Sequence, residues 1–303
     1  MGNAQRGGAR RANLIGLDEH PITTQIHRGT RVAFLTQHGK ERLLRAALEG
    51  ALGCELLHTD QYNTDLLGTF TNEISRRGSQ ADAARHKALI GMDLLGTTVG
   101  VGSEGSFGPD PFGGLSAWNV EMVVWLDRER QIEVTGLAQG FAMNQQRTVR
   151  SIEELEQFAR EAGFPAHHLI VRPAGDSGEV IVKGICAPDT LCASFLAALQ
   201  VSSGQGVVVE NDLRAFCNPT RQAMISRAVD DLIRKLQSAC PLCEAPGYSV
   251  TEHKPGLPCR TCGSPTRLAR ARLMRCSRCG HQEETTAGLP QYADPANCDV
   301  CNP

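Results

Sequence analysis

No stretch of the chain approaches the roughly 20 consecutive apolar residues that a membrane-spanning helix needs, so a membrane partner is not expected. Nor is there an excess of charge of one sign. Lys and Arg number 31 against 33 Asp and Glu, a formal net charge of −2. No field over the whole molecule therefore draws it to nucleic acid, and any such contact needs a local patch. The opening "MGNAQRGGARRAN" is rich in Gly and Arg and lacks the apolar centre of a secretory signal. Residues 1–30 read as a disordered leader, with an arm for anionic polymers as the sharper alternative. Without a signal, disulfides are a poor use for the twelve cysteines. Metal binding in a reducing cytoplasm is the better one.

What is present is an alternation of strand-like and helix-like segments. At 303 residues, 41% of them hydrophobic, the chain exceeds the size at which one core stops growing, and two or more domains are expected. "RVAFLT" (31–36) reads as a buried strand. Leu44, Ala47, Leu48 and Ala51 repeat at the spacing of an amphipathic helix. Ser79 with Asp82 resembles a capping box at the start of a second helix. "TTVGVG", "WNVEMVVWLD", "IEVTGLAQGF", "HHLIVRP", "EVIVKGI" and "GVVVEND" are further strands, and Asn218-Pro219 opens a late helix. The predicted fold class is α/β: one mixed, twisted sheet flanked by helices over residues 31–238, followed by a C-terminal zinc-ribbon module over 239–303.

Eight cysteines fall in that module as four Cys-x-x-Cys pairs: Cys240/Cys243, Cys259/Cys262, Cys276/Cys279 and Cys298/Cys301. Two such pairs make one tetrahedral four-thiolate site, so eight predict two structural Zn²⁺ ions. Sequential use, first pair with second and third with fourth, is the simplest and favoured arrangement. A crossed one uses the same residues. Arg267, Arg270, Arg272 and Arg275 in "RLARARLMRCSR" are the local patch that could contact nucleic acid.

Three places in the α/β region are more polar than a fold requires. Thr36, Gln37 and Lys40 sit where a strand hands over to a helix N-terminus, a ready anion site. Residues 59–82 hold Glu73 and Asp82, candidates for Mg²⁺, and Arg76, a candidate for phosphate. In "VGVGSEGSFGPDP" (99–111) Glu104 stands between Gly102 and Gly105. It reads as a carboxylate at the mouth of a strand, with the following Gly/Pro-rich loop (105–117) as a lid. A fourth place, "VVVENDLRAFCNPTR", puts Arg214 and Arg221 near a strand end and a helix start, where open α/β sheets bind ligands.

The order of strand, Thr36-Gln37-His38-Gly39-Lys40, helix, then "AARHKA" (83–88) and "VGSEGS" (101–106) resembles the inosine/xanthosine triphosphate pyrophosphatases over about residues 31–127. Gln37 stands where that family has Asn. The resemblance implies that Lys40 and Lys87 hold the triphosphate and that Glu104, with Glu73 or Asp82, holds Mg²⁺ or Mn²⁺. Over the whole chain, "GTFTNEISR", "SEGSFGPDP", "NDLRAFCNPTR" and "CDVCNP" resemble an uncharacterised bacterial family of unknown function. The expected activity is metal-dependent hydrolysis of a nucleotide or other phosphate ester. The alternative is a non-catalytic regulatory protein that binds nucleotide or nucleic acid and uses its ribbon for contact. A homodimer is compatible with either reading.

Overall fold

The computed structural model describes residues 26–37, 39–64, 78–175 and 181–303. They form two compact units, one ending at Gln237 and the other spanning Ser238–Pro303. No helix among the described residues is long and apolar enough to cross a membrane.

The first unit is built on two sheets rather than the single mixed sheet expected. In the larger one, β1 (Arg31–Leu35) lies between β2 (Glu55–Thr59) and β3 (Val99–Pro109), parallel to both. From β3 the sheet continues antiparallel through β4 (Ala117–Asp127) and β5 (Ile132–Phe141). The smaller sheet is wholly antiparallel. Its order is β6 (Gln146–Val149), β9 (Val207–Asn211), β7 (Leu169–Pro173), β8 (Val182–Ile185). The short strand β6 has no apolar run to announce it. It fills the edge beside β9 and so closes off a second sheet with its own core.

Side-chain alternation assigns the faces of the larger sheet. Val32, Phe34, Val99, Val101, Val123 and Trp125 point to one side, against Leu44, Leu48 and Leu52 of α1 (Glu41–Leu52) and Ile225, Val229 and Leu232 of α5 (Pro219–Leu236). Ala33, Val124 and Leu126 point to the other, against Ala84, Ala88 and Met92 of α2 (Gln80–Leu95). The capping box expected at Ser79 and Asp82 is present, and Asn218 caps α5 by accepting from the Arg221 N–H. The smaller sheet packs Leu169, Val171, Val207 and Val209 against Leu155 and Phe158 of α3 (Ile152–Glu161) and Leu191 and Phe195 of α4 (Pro188–Val201).

The strand carrying Glu104 does not stop there. β3 runs five residues further, with Glu104 opposite Met122 of β4. The glycines keep it extended beneath α2: a Cβ on Gly102 would lie 1.8 Å from the Ala84 carbonyl oxygen. The expected lid is instead a hairpin end. Asp110 accepts from the N–H groups of Phe112, Gly113 and Ser116 at 3.0, 2.9 and 2.7 Å. These bonds, Ser116's foremost, hold its carboxyl down at about 2 and tie residues 110–116 into a turn.

The second unit is a three-stranded antiparallel sheet of β10 (Ser249–Pro255), β11 (Ala269–Arg275) and β12 (Gln282–Thr285).

Candidate functional site

β3 pairs with β1 only through Val101, so its next residues stand beyond the carboxyl end of β1. α1 and α2 leave the sheet on opposite faces there, which is the topology that opens a ligand crevice in α/β sheets. Lys40, at the N-cap of α1, enters this space. Its Nζ donates to Ser103 Oγ at 3.1 Å and lies 3.7 Å from Glu121 Oε2. Arg221, in the first turn of α5, donates from Nε to Glu121 Oε1 at 2.7 Å and from Nη1 to the Leu213 carbonyl at 2.5 Å. Asn119 donates to Glu121 Oε1 at 3.2 Å and to the Ser106 carbonyl at 3.1 Å. Gly105 lies opposite Glu121 because the ion pair occupies the space of a side chain. A Cβ there would be 2.3 Å from Glu121 Oε1 and 2.5 Å from Arg221 Nη2.

Lys40, Glu121 and Arg221 are all buried, so their charges are defined by one another. Burial lowers the Lys40 ammonium to about 8, Arg221 adds to the shift, and Glu121 opposes it. Burial alone would raise the Glu121 carboxyl, but Arg221 and Lys40 outweigh it and hold the group ionised, below its ordinary value.

Glu104 lies on the other face of β3. Lys87 of α2 donates to its Oε2 at 2.5 Å. Gln80 donates to the Glu104 and Val120 carbonyls at 2.9 and 3.0 Å. The candidate residues thus fall into two ion-paired groups flanking one strand, Lys40 with Arg221 and Lys87 with Glu104.

The remaining candidates are placed differently. Thr36 donates its N–H to Thr59, and its carbonyl bonds His58 Nε2. Gln37 accepts from the N–H and hydroxyl of Thr64, so its amide braces the segment after β2. Arg214 is bound to buried Asp212, with Nη2 to Oδ2 at 2.5 Å, and does not join Arg221. Asp82 is spent on Ser79 and Arg85, with the Ser79 hydroxyl first among the bonds that lower its pKa. It forms no metal cluster with Glu104: the groups of three or more metal-ligating side chains among the described residues consist of cysteines alone. Glu73 and Arg76 lie outside the described residues. A polar cavity of about 370 Å³ lies at the opposite end of the strands, lined by Thr30, Arg31, Thr97, Glu129 and Arg130; it contains none of the candidates.

Glu121, Asn119 and Ser103 were not singled out from the sequence. The signal is there for Glu121 and Asn119. In "WNVEMVVWLD" they share the parity of Val123 and Trp125, the core-facing set, and polar residues on a core-facing parity call for buried partners.

In the second unit the eight cysteines form two clusters. Cys240, Cys243, Cys276 and Cys279 make one, and Cys259, Cys262, Cys298 and Cys301 the other, with ligand atoms within 4.8 Å of one another in each. This is the crossed pairing, not the sequential one favoured from spacing. The strands explain it. β10 carries the chain from the first pair to the far end of the sheet, where the second pair sits. β11 brings it back to the third pair, and β12 returns it toward the fourth. Alternate pairs therefore share an end.

The clusters fit zinc. Contacts between pairs are 3.7 Å for Cys240–Cys279 and Cys243–Cys276, 3.9 Å for Cys259–Cys301 and 3.6 Å for Cys262–Cys298. A tetrahedron of thiolates about 2.3 Å from one ion has edges of about 3.8 Å. Each pair is a tight knuckle. The N–H of Glu244, Gly263, Gly280 and Asn302 bonds the carbonyl of Cys240, Cys259, Cys276 and Cys298 respectively, at 2.8–3.0 Å. Gly263 and Gly280 take positive φ, as does Glu244, where a non-glycine residue accepts the left-handed conformation. Of the four candidate arginines here, Arg267 forms an exposed pair with Asp299 and Arg272 donates to the Ala287 carbonyl.

A family described as "Domain of unknown function (DUF6671)" matches residues 87–303. The chain belongs to this family. The matched span takes in Lys87, Glu104, Glu121, Arg221 and all eight clustered cysteines of this DUF6671 protein, while Lys40 precedes it. No curated protein matches the chain.

Proposed function

We propose that residues 26–237 bind a phosphate ester, a nucleotide for preference, in the space beyond the carboxyl end of β1. The observation that carries this reading is the excess of cationic over acidic side chains around this stretch of β3: Lys40 and Arg221 on one face and Lys87 on the other, against two carboxylates, Glu121 and Glu104. The α1 N-terminus adds its dipole, and Lys40 at the N-cap offers no competing side-chain acceptor. An anion entering this space meets an excess of positive charge in a poorly hydrated setting, where each contact is strong.

The resemblance to inosine/xanthosine triphosphate pyrophosphatases supports hydrolysis of a nucleoside triphosphate as the reaction. Water would attack phosphorus and a P–O bond would break, releasing pyrophosphate or phosphate. Lys40, Lys87 and Arg221 would stabilise the leaving charge. A divalent ion would lower the pKa of the water, and Glu104 is the carboxylate to hold it once phosphate has engaged Lys87. The test is a panel of nucleoside triphosphates, inosine and xanthosine forms included, with Mg²⁺ or Mn²⁺. Turnover lost in Glu104→Gln and kept in Arg272→Ala is expected. No product from any substrate would remove the hydrolytic reading.

Binding without turnover is the second reading, favoured by the commitment of Glu104 to Lys87. It predicts calorimetric binding of nucleotide without divalent ion, weakened in Lys87→Met. Nucleic-acid contact through the ribbon has less support. Two loaded four-thiolate centres are net negative, and residues 238–303 otherwise hold nearly balanced charge.

A further inference from the structure

The two cysteine clusters share a ligand set but not an environment. In the first, Cys240 and Cys276 are buried in an apolar cluster with Ala245 and Tyr248, and Met274 packs on it. The Tyr248 ring stacks on His281 with centroids 5.9 Å apart. Cys243 is half-buried and Cys279 alone is exposed. In the second cluster two sulfurs are exposed, Cys262 and Cys301. Its outer knuckle follows the 3-10 turn Pro295–Asn297 capped by Asp294, with the Asn302 amide on the Ala296 carbonyl at 3.1 Å, and is tied back to the second pair by the bonds of Ala293 with Pro258 and Arg260 and by the exposed Arg267–Asp299 ion pair. In the first cluster Cys276 directly follows β11 and Cys279 stands three residues before β12, whereas Cys298 of the second lies thirteen residues beyond the end of β12.

We infer that the Cys259/Cys262/Cys298/Cys301 centre is a peroxide-sensitive release point, while the Cys240/Cys243/Cys276/Cys279 centre is the permanent structural one. Access decides which thiolate meets an oxidant first. Cys262 Sγ attacks the O–O bond of hydrogen peroxide, becoming a sulfenic acid as hydroxide leaves. Cys298 Sγ, 3.6 Å away, then attacks that sulfur and displaces a second hydroxide. Two thiolates have lost two electrons, one peroxide has gained them, and one disulfide has formed. Cys301 and Cys259, 3.9 Å apart, close the second disulfide with a second peroxide. Neither disulfide sulfur retains the charge that holds a metal ion, so the ion is released and the new disulfides take its place in joining the two knuckles.

The experiment uses the full chain loaded with two Zn²⁺ and titrated with hydrogen peroxide. Release is followed by a chromogenic zinc chelator, and the disulfides are mapped by mass spectrometry after digestion with trypsin, which cuts at Arg260 between Cys259 and Cys262, and an Asp-directed protease, which cuts before Asp294 and Asp299 and so separates Cys279, Cys298 and Cys301. One zinc is expected to leave about tenfold faster than the other, with Cys262–Cys298 or Cys259–Cys301 cross-links formed and Cys240, Cys243, Cys276 and Cys279 still alkylatable after reduction-free denaturation. Simultaneous loss of both ions, first oxidation in the Cys240 cluster, or retention of both through a large excess of peroxide would each overturn the inference.

Discussion

Glu121 lies between two buried cations, bonded by Arg221 and 3.7 Å from Lys40. Neutralising it while keeping its shape removes the carboxylate that both buried cations share. Glu121→Gln should cost about 3–5 kcal/mol, the range for breaking a buried ion pair, read from urea unfolding by tryptophan fluorescence. Both tryptophans of the chain, Trp118 and Trp125, lie in the first unit, so the probe is specific to it. A second residue sets a pH dependence. His27 is buried with its ring 5.0 Å from that of Trp125. Burial, then Arg130, lower its pKa to about 4 from 6.5, against the opposing pull of Asp127. Between those values the unfolded chain binds more protons than the folded one, so stability falls as pH drops from about 6.5 to 4. Unfolding midpoints across this window should decline less steeply in His27→Asn; an unchanged slope would assign the effect to other groups.

At the scale of elements, the contact between α2 and β3 is set by small residues on both sides. Ala84 and Ala88 approach a strand whose facing positions are Gly100 and Gly102. Gly102→Ala cannot be absorbed by a side-chain rotation, because the obstacle is the Ala84 backbone carbonyl. A loss of roughly 1–3 kcal/mol or more is expected for such overpacking. Displacement of α2 would also move Lys87 off Glu104. On the proposed reading, nucleotide affinity should therefore fall together with stability in this variant. The glycines in "VGVGSEGSFGPDP" are legible in the sequence as sites of close approach, but what approaches them is not. Reading them as a strand end followed by a lid failed because local glycine content carries no information on the helix packed above or on the pairing with β4.

For the whole molecule, the crossed cysteine pairing has a direct consequence for metal content. Replacing one ligand in each of two pairs from the same cluster, Cys240→Ser with Cys276→Ser, should leave one zinc per chain by elemental analysis. Cys240→Ser with Cys259→Ser removes a ligand from each cluster and should leave close to none. Sequential pairing reverses the two results. Because the hydrophobic cores of residues 26–237 contain none of the eight clustered cysteines, chelation of both ions should erase the amide dispersion of β10–β12 and leave tryptophan fluorescence unchanged.

The sequence alone determined what depends on neighbours within a few residues. The Cys-x-x-Cys knuckles, the Ser79 and Asn218 caps, the amphipathic stripe of α1 and the cationic turn at Lys40 are all local, and each is present. The tertiary structure decided what depends on which distant segments meet. It divided the α/β region between two sheets, because the short β6 completes an edge that no apolar run marks. It paired Arg221 with a glutamate one hundred positions earlier in the sequence, a meeting that local spacing cannot express, and it sent Glu104 to the opposite face through the alternation of an uninterrupted strand. It also crossed the cysteine pairs, because each strand of the ribbon carries the chain to the other end before the next knuckle forms.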